Sequence, residues 1–226
     1  MVLQAGRSIS PESAAALEKL CRAYWPPIYY FARRKGCNDA DAQDLTQQFF
    51  ASLLARNDLG GVDPRKGKFR TFLLAAFTHF MANEYDRARA QKRGGGVMIL
   101  SLDALPLEEA GELEPTSQVS PGMQYDLRWA KTILETALQR LSEEMFLTGK
   151  PDGFALLKPF LTSNAGPGDY AIVAGKLEVS AASVPVLVHR LRQRYRELVR
   201  AEVAQTVTSP TELEEEMRHL FAVLNQ

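Results

Sequence analysis

Residues 168–200 read GDYAIVAGKLEVSAASVPVLVHRLRQRYRELVR and carry the strongest pattern in the chain. A short helical pattern reaches a break at Glu178 and Val179, and a longer basic helical pattern follows. In that second pattern, apolar residues recur every three or four positions, which predicts one buried stripe: Val184, Val188, Leu191, Tyr195 and Leu198. Two helices separated by so short a break predict a helix-turn-helix.

The rest of the second helix forms a mostly polar or basic face, made of Ser183, Val186, Arg190, Gln193, Arg194 and Glu197. A helix of this kind fits the DNA major groove, where its first turns reach base edges and later arginines hold phosphates. A solvated charged face is the alternative interpretation.

Pro185 marks where this helix begins, because proline strains a helix interior and is tolerated in the first turn. Either Ser180 caps the helix and Pro185 strains it, or Ser183 caps a helix that begins at Val184; we favour the second. The base contacts then shift towards Val186, His189 and Arg190, and the phosphate contacts fall to Arg192 and Arg194.

Composition sets broad limits on the class of protein. The 226 residues are 46% hydrophobic and 24% charged, which excludes a disordered or collagen-like chain and allows one or two domains. The formal net charge is zero, but the charges are segregated. Basic clusters lie at 65–70, 87–93 and 190–200, and acidic ones lie at 103–114 and 212–216. Two of the basic regions are therefore candidates for binding a polyanion.

Several classes of site have no support in the sequence. Cys21 and Cys37 have no metal-like pairing with histidines, and no secretory signal precedes them, so we expect a reducing cytoplasm. No apolar run approaches the length of a membrane span. His79, His189 and His219 lie in separate helical patterns, and no phosphate loop or nucleophile elbow is present. We therefore expect no cofactor, no metal, no membrane and no enzymatic activity.

The N-terminal region predicts helices with distinct faces. Ser10 and Pro11 begin the first helix, Pro26 and Pro27 are expected to interrupt it, and a second short helix follows up to Gly36. Asn38 can cap a third helix, NDADAQDLTQQFFASLLAR. Its polar face carries carboxylates and amides, which suits the binding of a protein, and an ordinary solvated face is the alternative: Asp41, Asp44, Gln47 and Gln48.

A basic loop and a long helix come next. Residues 57–68, NDLGGVDPRKGK, have the composition of a loop, and a helix from Phe69 ends before the glycines at 94–96. Aromatic residues with nearby cations suit single-stranded nucleic acid, although most of these rings are expected to pack in the core. The better candidates for binding are the basic residues of the loop and of the helix end: Arg65, Lys66, Lys68, Arg87, Arg89, Lys92 and Arg93.

The composition divides the chain into four parts. Residues 1–96 form a first helical domain, and the acidic, proline-containing residues 97–121 form a linker. Residues 122–208 form a second helical domain that contains the helix-turn-helix, and residues 209–226 form an amphipathic helix that begins at Pro210. That last helix either shields the basic second helix of the helix-turn-helix or packs onto the second domain, and packing is the expected outcome.

These motifs resemble those of the extracytoplasmic-function (ECF) group of bacterial sigma-70-type factors. Residues 41–50, DAQDLTQQFF, look like the region 2 helix of that family with the pattern DAEDLVQEVF, except that Gln48 replaces a usual glutamate. Residues 69–93 resemble the segment that melts and captures the minus-ten element. Residues 170–198 resemble the region 4 pattern YAEIAARLGMSEGAVKVAVHRLRRRYREL, in which lysine usually stands at the position of Pro185.

The resemblance implies a sigma factor with an all-α fold of two helical domains joined by a linker. Its region 2 helix would bind the β′ clamp helices of core RNA polymerase, and region 4 would bind the β flap and the minus-thirty-five element. Promoter DNA would be bound both as a duplex and as the melted non-template strand, and an anti-sigma factor is a further partner the family implies. A helix-turn-helix regulator that binds duplex DNA without polymerase remains the alternative.

Overall fold

The computed structural model describes residues 11–55, 68–92, 120–147, 151–166, 168–207 and 209–225, with the side chains of residues 11–17, 89–92 and 151 left out. Every regular element in these ranges is helical, which confirms the all-α prediction. The α-helices are α1 Pro11–Arg34, α2 Asp39–Ala55, α3 Phe69–Lys92, α4 Pro121–Leu147, α5 Pro151–Leu157, α6 Asp169–Leu177, α7 Val184–Ala204 and α8 Pro210–Leu224. Two short 3-10 helices, Lys158–Leu161 and Ala181–Ser183, precede α6 and α7.

The chain divides into two compact units. Unit 1 consists of Met1–Thr132 together with Ala204–Gln226, and unit 2 consists of Ile133–Val203. The first part of α4 and the whole of α8 therefore belong with the N-terminal helices. These bounds differ from the four parts expected from composition, and the division into a polymerase-binding and a promoter-reading domain stays a prediction.

Aromatic side chains form the core of unit 1. The Phe49 ring of α2 lies 5.0 Å from the Phe77 ring and 5.6 Å from the Phe80 ring of α3, and the Tyr24 ring of α1 lies 5.3 Å from that of Phe69. Tyr24, Phe49, Phe69 and Phe77 are all buried. The helical spacing of the aromatic residues in α3 therefore marks a packed face, as expected, because each ring removes a large apolar surface from water.

The prediction that Pro26 and Pro27 interrupt the first helix is wrong, because α1 runs without a break from Pro11 to Arg34. Proline removes a backbone hydrogen bond and costs about 3 kcal/mol in a helix interior. Here the two prolines lie between Tyr24 and Ile28, which are fully buried. Burial of these large side chains offsets the cost, since tertiary packing outweighs the local preference of the backbone.

The start of α2 confirms the predicted cap. The Asn38 side chain accepts a hydrogen bond from the Asp41 backbone N–H at 2.8 Å, and the Asn38 carbonyl accepts one from the Ala42 N–H at 2.9 Å. Ala42, Phe49 and Leu53 are buried on the other side of the helix. Thr46 is buried too, because its hydroxyl donates to the Ala42 carbonyl at 2.7 Å and so needs no water.

α8 begins where expected but packs on a different part of the chain. The Ser209 hydroxyl accepts from the Glu212 N–H at 3.2 Å, and Pro210 occupies the first turn, so both features of a helix start are present. The helix belongs to unit 1 rather than to unit 2. Its buried residues are Glu216, Leu220 and Val223.

Unit 2 is a small helical unit built on apolar stripes, of which that of α7 was predicted. Residues at helical spacing in α4, α5, α6 and α7 are buried: Ile133, Ala137, Leu141, Phe154, Leu157, Val173, Ala174, Val188, Leu191 and Leu198. Tyr195 is half-buried, and its hydroxyl donates to the Leu134 carbonyl at 3.1 Å. The stripe of α7 therefore anchors that helix to α4 within the unit.

Within the described part of the chain, no single helix has the length and apolar composition needed to span a bilayer. Only α6 and α7 taken together, across a bend of 104°, meet such a criterion.

Candidate functional site

The polar face of α2, defined as Asp41, Asp44, Gln47 and Gln48, lies opposite the buried stripe of the helix. All four residues are exposed, while Ala42, Thr46, Phe49 and Leu53 face the core. Spacings of three, four and seven residues put Asp41, Asp44 and Gln48 on one side of the helix. The helical spacing therefore predicted correctly that these four residues are exposed. The partner that they bind stays a prediction.

The polar face has a firm support beneath it. Asp41 accepts a hydrogen bond from the Asn38 amide at 2.9 Å, so its carboxylate also helps to close the first turn. Phe50 stacks on Trp25 of α1 with ring centroids 5.8 Å apart, and Phe49 packs on α3. A rigid helix with amides and carboxylates on its outer side suits a helical protein partner.

The predicted basic residues around α3 are only partly described. Lys68 directly precedes α3, and Arg87 is exposed beside its ion-pair partner Glu84. Arg65, Lys66 and Arg93 lie outside the described residues, as do the side chains of Arg89 and Lys92.

A cluster of buried charges, defined here as the Arg70 cluster, lies inside unit 1 and was missed from the sequence. The Arg70 Nε lies 3.2 Å from Glu216 Oε2, and its guanidinium also binds Asp126 of α4. Lys68 Nζ lies 3.0 Å from Glu216 Oε1, and His219 Nε2 lies 3.1 Å from Asp126 Oδ2. The cluster thus joins the start of α3 to α4 and α8.

Burial shapes the electrostatics of this cluster. Arg70 and Glu216 keep 7% and 3% of their side-chain surface exposed, which would cost several kcal/mol for each charge if it were unpaired. Burial by itself lowers the pKa of Arg70, but Glu216 and Asp126 more than offset this, so its pKa lies above the ordinary value. Arg70 is also placed over the Trp129 ring at 5.1 Å and its backbone carbonyl accepts from the Tyr125 hydroxyl at 3.2 Å.

One feature of the sequence indicates the Arg70 cluster. Glu216 lies three residues after Leu213 and four before Leu220, which places it on the apolar stripe of α8 rather than on the polar side. A carboxylate in that position needs a buried cation as a partner. The identity of the cation is not readable from spacing, because Arg70 lies 146 residues away in the chain.

In unit 2, a tight turn joins α6 to α7. Glu178 ends α6 in the left-handed conformation with φ 55° and ψ 40°, and its N–H donates to the Ala174 carbonyl. The Val179 N–H donates to the same carbonyl at 3.0 Å, and Ser180 is extended. The chain then bends by 104° into α7, an angle typical of helix-turn-helix motifs.

The start of α7 agrees with the helix start predicted from Pro185, while Ser183, the predicted cap, belongs to the preceding 3-10 helix. The α-helix begins at Val184, which is fully buried, so Pro185 occupies the first turn. The Ser183 hydroxyl lies 2.6 Å from the Ser180 hydroxyl, and so these two serines close the turn together. Val186, His189 and Arg190 are exposed on the first turns that follow, with half of the Val186 surface open to solvent.

The two other predicted DNA contacts of α7 are engaged within unit 2. Arg192 is half-buried and donates to the carbonyls of Phe160 at 2.7 Å and Ser163 at 3.0 Å. Arg194 binds both carboxylate oxygens of Glu144, at 2.7 and 2.8 Å, and also Glu197 at 2.8 Å. The hydrogen bonds from Arg194 lower the pKa of Glu144. Val186, His189 and Arg190 are thus the predicted readers that project freely from the helix.

The described residues include all three histidines and both cysteines of the chain. Among them, no set of three or more histidine, cysteine or carboxylate side chains is placed to hold a metal ion. Burial raises the pKa of both thiols, Cys21 and Cys37, which disfavours the nucleophilic thiolate.

Comparison with known proteins identifies the N-terminal part of the chain. Residues 20–92 match the family model described as Sigma-70 region 2, a segment that runs from within α1 to the last residue of α3. No curated protein and no solved structure matches the chain. Residues 20–92, which contain the polar face of α2 and the start of α3, thus belong to the Sigma-70 region 2 family, and this match supports a sigma-70-type factor.

Proposed function

We propose that this protein is an ECF-type sigma factor that binds core RNA polymerase, selects promoters and helps to open them. The observation that carries the proposal is the sigma-70 region 2 match over residues 20–92, which contains the polar face of α2 on its outer side. It performs no bond chemistry in this role, and it would act in the cytoplasm, where core polymerase is found.

In this proposal the polar face of α2 binds the β′ clamp helices. Asp44 lies at the middle of the exposed arc, between Asp41 and Gln48 on one side and Gln47 on the other. The polar face presents two carboxylates and two amides. Electrostatic complementarity would therefore orient it on a partner surface that carries basic residues. Gln48 supplies hydrogen bonds without a charge at the position where the family usually has glutamate.

The DNA contacts are divided between the two units. We infer that Arg65, Lys66 and Lys68 hold the melted non-template strand with the basic end of α3, because cations that follow a single strand supply most of its affinity. In unit 2, Val186, His189 and Arg190 would read the minus-thirty-five element, with Arg190 best suited to guanine. The hydrogen bonds of Arg192 to Phe160 and Ser163 support a structural role for that residue.

The ECF assignment rests on the resemblance of the α6–α7 segment and on the presence of two helical units. The 226 residues provide two helical units, and the charge pattern HRLRQRYREL of α7 is typical of region 4 in that group. Docking of unit 2 on the β flap and control by an anti-sigma factor are further parts of this proposal.

In vitro transcription tests the function directly. Core polymerase would be incubated with the full chain and a fragment library of the source genome, and the start sites would be mapped. We expect transcripts from a set of sites that share two upstream elements, and only when the chain is present. Core polymerase that gives the same transcripts with and without the chain would contradict the proposal.

A duplex-binding regulator that works without polymerase is the second candidate, favoured by the α6–α7 geometry alone. The charge reversal Asp44→Lys distinguishes the two candidates. A sigma factor would lose transcription with this variant while its unit 2 stays intact, whereas a regulator would keep both its DNA binding and its effect on transcription.

A further inference from the structure

Glu216 of α8 is a buried carboxylate held by two cations. It keeps 3% of its side chain exposed, and its oxygens lie 3.2 Å from Arg70 Nε and 3.0 Å from Lys68 Nζ. A carboxylate reaches such a buried position only when cations replace the water it loses. The two cations therefore hold α8 in its place on unit 1.

The two cations differ in what else they contact. Arg70 is almost fully buried and also binds Asp126, so it keeps a carboxylate partner when Glu216 moves away. Lys68 has a third of its side chain exposed, and it is the residue directly before α3. Of the two, Lys68 is the cation that a ligand from solution can reach.

We propose that α8 regulates DNA binding by acting as an intramolecular competitor: Glu216 occupies Lys68 in the place of a phosphate of the melted strand. Carboxylate and phosphate oxygens are alternative partners for the same ammonium group. The inference rests on the proposed function, because that function assigns Lys68 to the non-template strand. Promoter DNA would therefore have to displace Glu216 before it gains this contact.

The anchorage of α8 is small enough for such a displacement. Of its fifteen residues, three are buried: Glu216, Leu220 and Val223. The side chains of Phe221 and Leu224 keep 52% and 42% of their surface exposed. A helix with few buried apolar residues opens at a lower free energy than the core of its unit, and so α8 is the helix of unit 1 most suited to a reversible contact.

A double-mutant cycle tests this competition. The full chain, Glu216→Gln, Lys68→Met and the double variant would be titrated with a fluorescein-labelled single-stranded oligothymidylate, followed by anisotropy. We expect Glu216→Gln to raise the affinity about 3- to 10-fold and to steepen the salt dependence by about one phosphate contact. In the Lys68→Met background, the same change should have no effect.

The matched control is Glu215→Gln, which removes the same charge from the neighbouring position of α8. It should change the affinity less than two-fold, because Glu215 is not among the buried residues that contact the cations. An equal gain from Glu215→Gln, or a gain from Glu216→Gln that persists in the Lys68→Met background, would show a general charge effect and overturn the proposal.

A measurement on the unmodified chain covers the case in which Glu216→Gln does not fold. Hydrogen–deuterium exchange would be followed over residues 210–224 with and without the oligothymidylate. Competition predicts that saturating oligonucleotide increases exchange in α8, whereas unchanged or slower exchange there overturns it. Failure of the proposed function is read separately, as the absence of chain-dependent transcripts with core polymerase, and it leaves the outcome of this cycle unaffected.

Discussion

At the scale of single residues, Glu178 determines how α6 is joined to α7. It adopts φ 55° in the turn, and among the described residues it is the non-glycine residue with positive φ. The left-handed conformation costs about 1–2 kcal/mol for a residue with a Cβ atom. The packing of α6 and α7 therefore holds Glu178 in a strained conformation, which glycine would adopt freely.

Replacing Glu178 by glycine should stabilise unit 2. The relief of strain exceeds the extra unfolded-state entropy of glycine, about 0.4–1 kcal/mol, so we expect a net gain of about 0.5–1 kcal/mol. Chemical denaturation followed by circular dichroism measures it. Lys176→Gly, two residues earlier inside α6, should instead cost about 1 kcal/mol. Equal effects of both substitutions would contradict the role of the φ angle.

Arg192 should matter for stability rather than for DNA binding. Its guanidinium donates to two backbone carbonyls of the segment that follows α5. Removing hydrogen bonds from a charged donor costs about 1–3 kcal/mol, so Arg192→Ala should lower the free energy of unfolding by that amount. Arg190→Ala, at an exposed position, should change it by about 0.5 kcal/mol or less. Denaturation curves for both variants decide between a structural role and a surface role.

Arg190 is expected to read a base. Arg190→Ala should cost about 1–3 kcal/mol of binding at the minus-thirty-five element and relax the preference at one position. Selection of bound sequences from a randomised upstream element measures this preference. Arg194→Ala should weaken binding to all sequences alike. An unchanged base preference for the Arg190 variant would remove Arg190 from direct readout.

At the scale of helices, α2 separates folding from function on its two sides. Its inner side packs Phe49 and Phe50 on neighbouring aromatic rings, while the four residues of its polar face are exposed. A helix built in this way tolerates substitution on its outer side with little change in stability. Binding of a partner can thus be altered without disturbing the core.

The charge reversal Asp44→Lys should weaken binding to core polymerase. Its effect on the free energy of unfolding should stay within about 0.5 kcal/mol, because Asp44 is exposed. Gln43→Lys is the matched control, since Gln43 is exposed on the same helix, about 100° of helix rotation from Asp44 and outside the four residues of the polar face. Titration of labelled chain with core polymerase should show a loss for Asp44→Lys and little change for Gln43→Lys. Equal affinities would exclude the polar face of α2.

Helical spacing predicted most of the faces that pack and failed where long-range contacts decide. The stripes of α2 and α7 follow from local periodicity, so Leu53 and Val188 could be placed in the core from the sequence. The continuity of α1 through Pro26 and Pro27 could not be predicted from the sequence, because the burial of Tyr24 and Ile28 overrides the local effect of proline.

The residues of the candidate site also divide into those that helical spacing predicts and those that depend on long-range contacts. The exposure of Asp44, Gln47 and Arg190 follows from the helical period, and the structure agrees. The engagement of Arg192 with Phe160 depends on how α7 lies against the 3-10 helix, and no pattern along the chain contains that information. The same holds for Arg70 and Glu216, whose pairing joins distant parts of the sequence.

At the scale of the whole molecule, unit 1 is built from two separate segments of the chain. Met1–Thr132 supplies most of it, and Ala204–Gln226 supplies α8 with its carboxylate Glu216. The stability of the region 2 domain therefore depends on residues that lie far from the matched segment 20–92.

Removal of Ser209–Gln226 should destabilise unit 1 selectively. The truncation breaks the pairs of Glu216 with Arg70 and Lys68 and exposes the surface covered by Leu220 and Val223, so we expect a loss of about 3–5 kcal/mol. Hydrogen exchange should accelerate in α1 and α3 and stay unchanged in α6. Faster exchange in α6 with unit 1 unaffected would contradict this assignment of α8.

The split of unit 1 also has a consequence for folding during synthesis. When the ribosome has released α1, α3 and the first turns of α4, Arg70 still lacks Glu216, because residues 133–203 must be translated first. At 5–20 residues per second, synthesis from residue 133 to Glu216 lasts roughly 4–17 s. During that time Lys68 has no carboxylate from α8, and the nascent domain is both less stable and more basic than the finished one. Unit 1 is thus completed only after the whole of unit 2 has been synthesised.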